Sequence, residues 1–508
     1  MEQQAIPSLV TANDIYGVLP LLILAATGLV VLMVDAFEKR PSRTPLFLAV
    51  IGAAGAAISA FLNVDNTGRV FNGMILNNGY SHYYSILFSL GAILAVLLAE
   101  RYLKEEEVLI GEFSALTLFS ACGMIMMASG TDLIVTFLGL ETMSISFYVM
   151  SGLFRRRVES NEAALKYFLL GSFSTGFFLY GIALLYGSFG TTNMDAMTAA
   201  LTTNANSIAS SPMIWLGIAM MIVGFCFKVA AFPFHQWAPD VYEGAPTVVS
   251  GYMSTAGKAA AFSAMALLFN IALAPITTAG GGSDKITIAL AVIAVASMFY
   301  GNITALSQTH VKRMLAYSSI AHAGYLLLGI AAMSTEGANA IAIYLTAYTL
   351  MQVGAFGVVG LLEKQSGGGL TLSDYQGLAK RNPWLAFIMT IMMLSLAGIP
   401  PFVGFFGKYY LFTSAVRSGL TVYAVLAVIA SLISVFFYLR LIVLMYFREA
   451  EEGQGYDVQV SGSGAGALRV AGTGSAWTAL IIASALLLVL GILPKILTDF
   501  SQRFFPVP

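Results

Sequence analysis

Residues 213–234 read MIWLGIAMMIVGFCFKVAAFPF, an apolar stretch that carries one charge, Lys228, and runs into Pro233. Its length suits a bilayer, whose hydrocarbon core of ~30 Å takes about 20 helical residues. An ammonium there costs about 3 kcal/mol on insertion scales. Proline lacks an N–H, and its ring disturbs the carbonyl four residues back, here that of Val229. The stretch therefore predicts a membrane-spanning helix that is interrupted beside a buried cation.

The rest of the chain has the same character. Of its 508 residues 58% are hydrophobic and 10% charged, where a soluble protein has about a quarter charged. The 25 Lys+Arg and 26 Asp+Glu leave a net charge of −1. No basic face exists to displace phosphate counterions, so nucleic acid is excluded as a partner. Cys122 and Cys226 lie in separate apolar runs, and His82, His235, His310 and His322 are too far apart to form a local metal or haem motif. There is no glycine-rich phosphate loop. No bound cofactor and no metal are expected in this chain.

Cutting at polar punctuation gives fourteen helices, over 14–36, 44–62, 81–103, 112–129, 131–154, 161–189, 213–242, 246–274, 285–307, 311–333, 337–363, 384–417, 420–447 and 475–500. The first is long enough to span and lacks the basic flank of a cleaved signal. Loops after odd-numbered helices hold fifteen lysines and arginines, the opposite loops and C-terminus five. Because cytoplasmic loops carry the positive excess, both termini are expected outside the cytoplasm. Helix 12 is interrupted like helix 7, at Pro400-Pro401 ahead of Lys408. Paired discontinuous helices point to internal repeats around an ion site. The expected fold is an all-α polytopic membrane protein with two inverted five-helix repeats, helices 4–8 and 9–13. The segments are then 1–108, with three N-terminal helices, 109–274 and 285–447 for the repeats, and 448–508 for a loop and the last helix.

Four ionisable groups fall inside spans: Glu141 in helix 5, Lys228 in helix 7, Lys258 in helix 8 and Lys408 in helix 12. Burial disfavours the charged form of each, and a nearby opposite charge restores it. A Glu141–Lys228 pair that can separate would thus exchange a proton. Lysines linked by water and by hydroxyls such as Ser254 and Thr255 would form a lateral relay, with carbonyls freed at the two breaks holding the water. Each group has a plainer reading as a structural ion pair. His322 is a further relay candidate or a satisfied interior histidine. Asp240 and Glu243 are a point of access or a solvated loop, and Glu112 at the head of helix 4 is an additional candidate. Lys166 is expected to snorkel or pair with Glu162, and Arg440 to be an interfacial anchor or a working group.

The segments FKVAAFPFHQWAPDVYEGAPT (227–247) and SQTHVKRMLAYSSIAH (307–322) resemble the antiporter-like proton-pumping subunits of complex I and their relatives, the Mrp-type cation/proton antiporters. The likeness covers nearly the whole chain and is greatest to the subunit N branch, called subunit 2 in organelles and cyanobacteria. A lysine at position 408 fits that branch, as does a chain that ends soon after helix 14, with no room for a lateral helix. The resemblance implies that Glu141, Lys228, Lys258 and Lys408 are the family's relay residues. It implies partners among the other membrane subunits of complex I, with NADH, FMN, iron–sulfur clusters and quinone handled in those partners. It also implies a multi-pass location in the cell inner membrane, or a thylakoid membrane in a cyanobacterium. The alternatives are an Mrp-type Na⁺(K⁺)/H⁺ antiporter subunit and the membrane subunit of a hydrogenase-type complex. The Gly- and Ser-rich stretch 453–475 has no counterpart in this reading.

Overall fold

A computed structural model describes residues 10–38, 42–105, 108, 110–203, 211–273, 282–363, 370–449 and 474–504. Most of the stretch 453–475 lies outside them. Each of the fourteen expected segments is a helix or a pair of helices. They are α1 (Leu19–Phe37), α2 (Thr44–Leu62), α3 (Gly79–Glu105), α4 (Ile110–Ser129), α5 (Leu133–Ser151), α6 (Val158–Phe189), α7a and α7b (Pro212–Lys228, Trp237–Gly244), α8 (247–272), α9 (Gly282–Leu306), α10 (Val311–Ala331), α11 (Thr335–Leu362), α12a and α12b (Pro383–Ala397, Val403–Arg417), α13 (Thr421–Phe447) and α14 (Gly474–Ile492). Among the described residues eleven helices are long and apolar enough to cross a bilayer. Side-chain caps begin several of them: Asp132 accepts from the Ile134 N–H at 2.8 Å, Ser334 from Gly337 at 3.0 Å and Asn382 from Leu385 at 3.2 Å.

Hydropathy did not anticipate a small hairpin between α2 and α3, β1 (Gly68–Val70) and β2 (Ile75–Asn77), paired antiparallel. It is tied to its surroundings by Phe71 N–H to Asp14 at 2.6 Å and Thr131 N–H to the Met74 carbonyl at 2.9 Å.

Glycines set how closely the helices approach. A Cβ on Gly139 of α5 would stand 2.7 Å from the Gly123 carbonyl of α4, and one on Gly123 would stand 2.5 Å from that of Gly139. The pair α9–α10 is built the same way, with Gly301 against the Tyr317 carbonyl and Gly324 against that of Ala294. In lipid, where apolar surface gives no drive between helices, such backbone contact is a main source of attachment. These two pairs head the two expected repeats and stand five segments apart.

The outer helices α1, α2, α6 and α13 present large apolar side chains such as Leu29, Ile51, Phe173 and Leu432 to the exterior. By contrast α10 is enclosed by protein, and only Arg313 among its residues is not buried. A helix that meets no lipid can carry polar groups if its neighbours bond them. Ser318, Ser319, His322 and Tyr325 of α10 are all buried.

Candidate functional site: a buried lysine line

Lys228 is the last residue of α7a. The chain then turns through Ala230, whose φ of +57° is in the left-handed region, before Pro233. Two carbonyls beside this break are met by protein donors. The Phe227 carbonyl accepts from the Trp237 indole at 2.9 Å, and that of Cys226 from the Ala231 N–H at 2.8 Å. The Lys228 ammonium reaches back to α5 and α6, donating to Ser144 at 2.7 Å and to the Tyr167 hydroxyl at 3.1 Å. It also lies over the rings of Tyr167 and Tyr148, at 5.2 and 5.9 Å.

Glu141 stands one turn from Ser144 on α5. The expected contact pair does not form: among the described residues no cation is within ion-pairing distance of Glu141, and its buried Oε1 has no hydrogen-bond donor. The carboxylate is nonetheless near enough for its charge to act on Lys228. The ammonium's donors go instead to Ser144 of α5 and Tyr167 of α6.

Lys258 follows a π-helical turn, Met253–Gly257, in the middle of α8. Its ammonium donates to the Ser319 carbonyl at 2.6 Å and to the Ser319 hydroxyl at 2.5 Å. The expected hydroxyl links are also corrected: Ser254 and Thr255 bond back to the Gly251 carbonyl of their own helix, each at 2.9 Å. The hydroxyls that meet the lysines are those of Ser144, Tyr167, Ser319 and Ser431.

From Ser319 the polar line continues through hydrogen bonds and ring contacts. Tyr348 donates to the Ser319 hydroxyl at 2.9 Å, and its ring lies 4.9 Å from that of His322. His322 Nδ1 meets the Tyr344 hydroxyl at 2.5 Å and Nε2 the Tyr438 hydroxyl at 3.0 Å. Next to His322, at 5.6 Å, is the ring of Tyr325, which also faces the Lys408 ammonium at 5.1 Å. Lys408 donates to Ser431 at 2.9 Å and to the Leu396 and Ala397 carbonyls at 3.1 Å each. Those carbonyls are open because α12a ends at Gly398, left-handed at φ +80°. At the second break the freed carbonyls therefore hold the lysine itself.

The remaining candidates lie off this line. Glu112 is half-buried at the head of α4, next to Asp35 of α1. Arg440 donates to the Leu306 carbonyl at 3.2 Å. Asp240 and Glu243 form an ion cluster on a cleft of about 590 Å³ beside Lys166, His310 and Lys312. Arg313 lies 3.0 Å from Asp240 and 2.7 Å from Glu243, and Lys166 lies 2.6 Å from Glu162 and 3.0 Å from Asp240.

The same cleft reaches Glu363, just past the α11 span. Its carboxylate accepts from Arg157 at 2.9 Å, from the Tyr102 hydroxyl at 2.7 Å and from Thr247. Burial raises the Glu363 carboxyl, but the Lys312 charge and these donors outweigh it and hold the group below the usual range. Asp240 is likewise lowered, burial being overcome by Lys166 and Arg313. A lowered native value means stability that is present above the unfolded value and lost as pH falls through the native one. The melting temperature should hold from pH 7 to about 4, the ordinary carboxylate range, and drop below it. In Glu363→Gln that acid drop should shrink, and an unchanged acid limb would refute the assignment.

Residues 130–434 match the family model described as NADH:quinone oxidoreductase/Mrp antiporter, TM. NADH-quinone oxidoreductase subunit N of Trichlorobacter lovleyi is 43% identical over 96% of each chain. Subunit N 1 of Chloroherpeton thalassium is 40% identical over 97% of this chain and 98% of its own. This chain belongs to the NADH-quinone oxidoreductase subunit N family. A chain of respiratory complex I from Thermus thermophilus superposes with a TM-score of 0.75 at 32% identity, over 94% of this chain and 98% of that one. A chain of the Mrp complex from Dietzia, at 20% identity and a TM-score of 0.79 over 97% of each, shares the fold. For a subunit N family member the sequence reading missed the tyrosines Tyr344, Tyr348 and Tyr438, and also Ser319 and Ser431. The spacing Tyr344–Tyr348, one helical turn apart and facing His322, was the available signal.

Proposed function

We propose that this chain is a membrane-arm subunit of a proton-translocating NADH-quinone oxidoreductase, in which Lys228, Lys258 and Lys408 pass protons along the buried line. Quinone is reduced in neighbouring subunits, which hold the NADH, FMN and iron–sulfur chemistry, and this chain binds no redox group. The protein lies in the cell inner membrane with both termini on the periplasmic side, and the ion cluster at Asp240 and Glu363 faces the cytoplasm. Lys258–Ser319–Tyr348–His322 is the observation that carries the reading, because each hydroxyl or imidazole can accept one proton and release another. Glu141 acts on Lys228 by its field: when a neighbouring subunit draws that charge away, the ammonium loses its support and gives up its proton toward Lys258 and Lys408.

In the assembled complex, Lys228→Ala is expected to stop proton flux while quinone reductase activity is retained, with Glu141→Ala similar and Lys166→Ala nearly intact. Full pumping by Lys228→Ala would refute the relay. Co-purification with quinone-reducing, iron–sulfur subunits separates this reading from a stand-alone cation/proton antiporter.

A further inference from the structure

Between the cleft and Lys258 runs a seam of buried polar groups that the relay does not use. Lys312, in the first turn of α10, is 2% exposed and uses one donor on the Ala245 carbonyl at 2.8 Å. The charges of Glu363 and Glu243 act on it. One turn deeper, Gln352 of α11 is fully buried. Its Nε2 donates to the Leu315 carbonyl at 3.3 Å, while its Oε1 meets no donor. The Thr349 hydroxyl, buried on the next turn of α11, also has no partner. Its neighbour Tyr348 bonds Ser319, the residue that holds Lys258.

Positions 312, 315 and 319 follow the three-and-four spacing of one face of α10, as 348, 349 and 352 do on α11. The axial distance from Lys312 to Ser319 is about 10 Å at 1.5 Å per residue. Buried amide and hydroxyl oxygens that lack protein donors are the places where interior water is held. The charged cleft opens at one end of the seam, and the central lysine closes the other.

We propose that the seam between α10 and α11 is a hydrated proton-uptake duct that feeds Lys258 directly from the cleft, with Glu363 and Lys312 at its mouth and Gln352 at its neck. Lys312 releases one proton to water in the seam and regains one from the cleft, so its charge is restored each cycle. Lys258 thus hands its proton on when Lys228 discharges and is reloaded through the seam, so that both Lys228 and the duct are needed in each turnover. This rests on the relay and the orientation proposed above.

The test uses the intact complex in liposomes with the cytoplasmic face outward. Gln352→Leu should lower the proton-to-electron ratio to that of Lys258→Ala while quinone reduction continues, and Gln352→Glu should keep more than half of the wild-type ratio. Normal pumping by Gln352→Leu, alongside loss in Lys258→Ala, overturns the duct and leaves the relay standing. Normal pumping by Lys258→Ala overturns the relay. Thiol labelling decides independently of whether the leucine variant assembles. The native cysteines are buried, so Gln352→Cys should react with a small cationic methanethiosulfonate added at the cytoplasmic face at least tenfold faster than Leu350→Cys. Leu350 is equally buried but lies about 200° round the helix. Equal rates, or no reaction, overturn the duct.

Discussion

In a complex carrying Lys258→Ala, proton flux should fall by about a hundredfold or more, because a group that takes up and gives back a proton contributes roughly 10²–10⁴-fold to such a step. The expectation is sharper than for the other lysines. Lys258 spends its ammonium on a single residue, Ser319, through both carbonyl and hydroxyl, and everything on the Lys408 side is reached through that residue. Removing the amine takes away the group that meets the Ser319 carbonyl and hydroxyl, and an alanine there has no proton to exchange. Electron transfer to quinone in partner subunits should continue. The readout is acidification of liposomes against quinone reduction in the same sample. Flux above half of wild type would show that protons do not pass through α8.

The largest structural effect is expected from Gly139→Leu. Already the Cβ would lie 2.7 Å from the Gly123 carbonyl and 2.9 Å from the Met127 N–H, and these are backbone atoms that cannot rotate away. Overpacking costs about 1–3 kcal/mol where side chains yield and more where they do not. About 3 kcal/mol is on the order of a hundredfold in a folding equilibrium. The variant should therefore fail to accumulate in assembled complex, as blue-native gels would show. Leu138→Ala, one residue away with a side chain 49% exposed, should stay within about 0.5 kcal/mol of wild type by thermal melting. Equal assembly of the two variants would mean that α4 and α5 do not touch along their backbones.

Hydropathy was sufficient to find the helices, since a run of about 20 apolar residues has one stable form in lipid. The interruptions at Pro233 and Pro400-Pro401 were equally readable, because proline's effect is local. Partnerships across helices were not. Tyr344 and Tyr438 count as bulk in a composition and become hydrogen-bond partners only when α10, α11 and α13 bring them around His322. Lys312 and Arg313 count alike among the fifteen cations assigned to the loops after odd-numbered helices. The structure separates them, because adjacent residues of a helix point about 100° apart: Lys312 turns inward to the Ala245 carbonyl, while Arg313 meets Asp240 and Glu243. The Glu141–Lys228 contact failed for a similar reason, as Ser144 and Tyr167 are nearer to the ammonium.

The π-turn ahead of Lys258 adds one residue to a winding of α8. Rewinding Met253–Gly257 to ordinary α spacing would rotate the C-terminal half of that helix by about 100° and carry the Lys258 amine off Ser319. Continuity at the midpoint of the line thus hangs on how tightly a single coil is wound, so that a twist of one helix is enough to open the circuit.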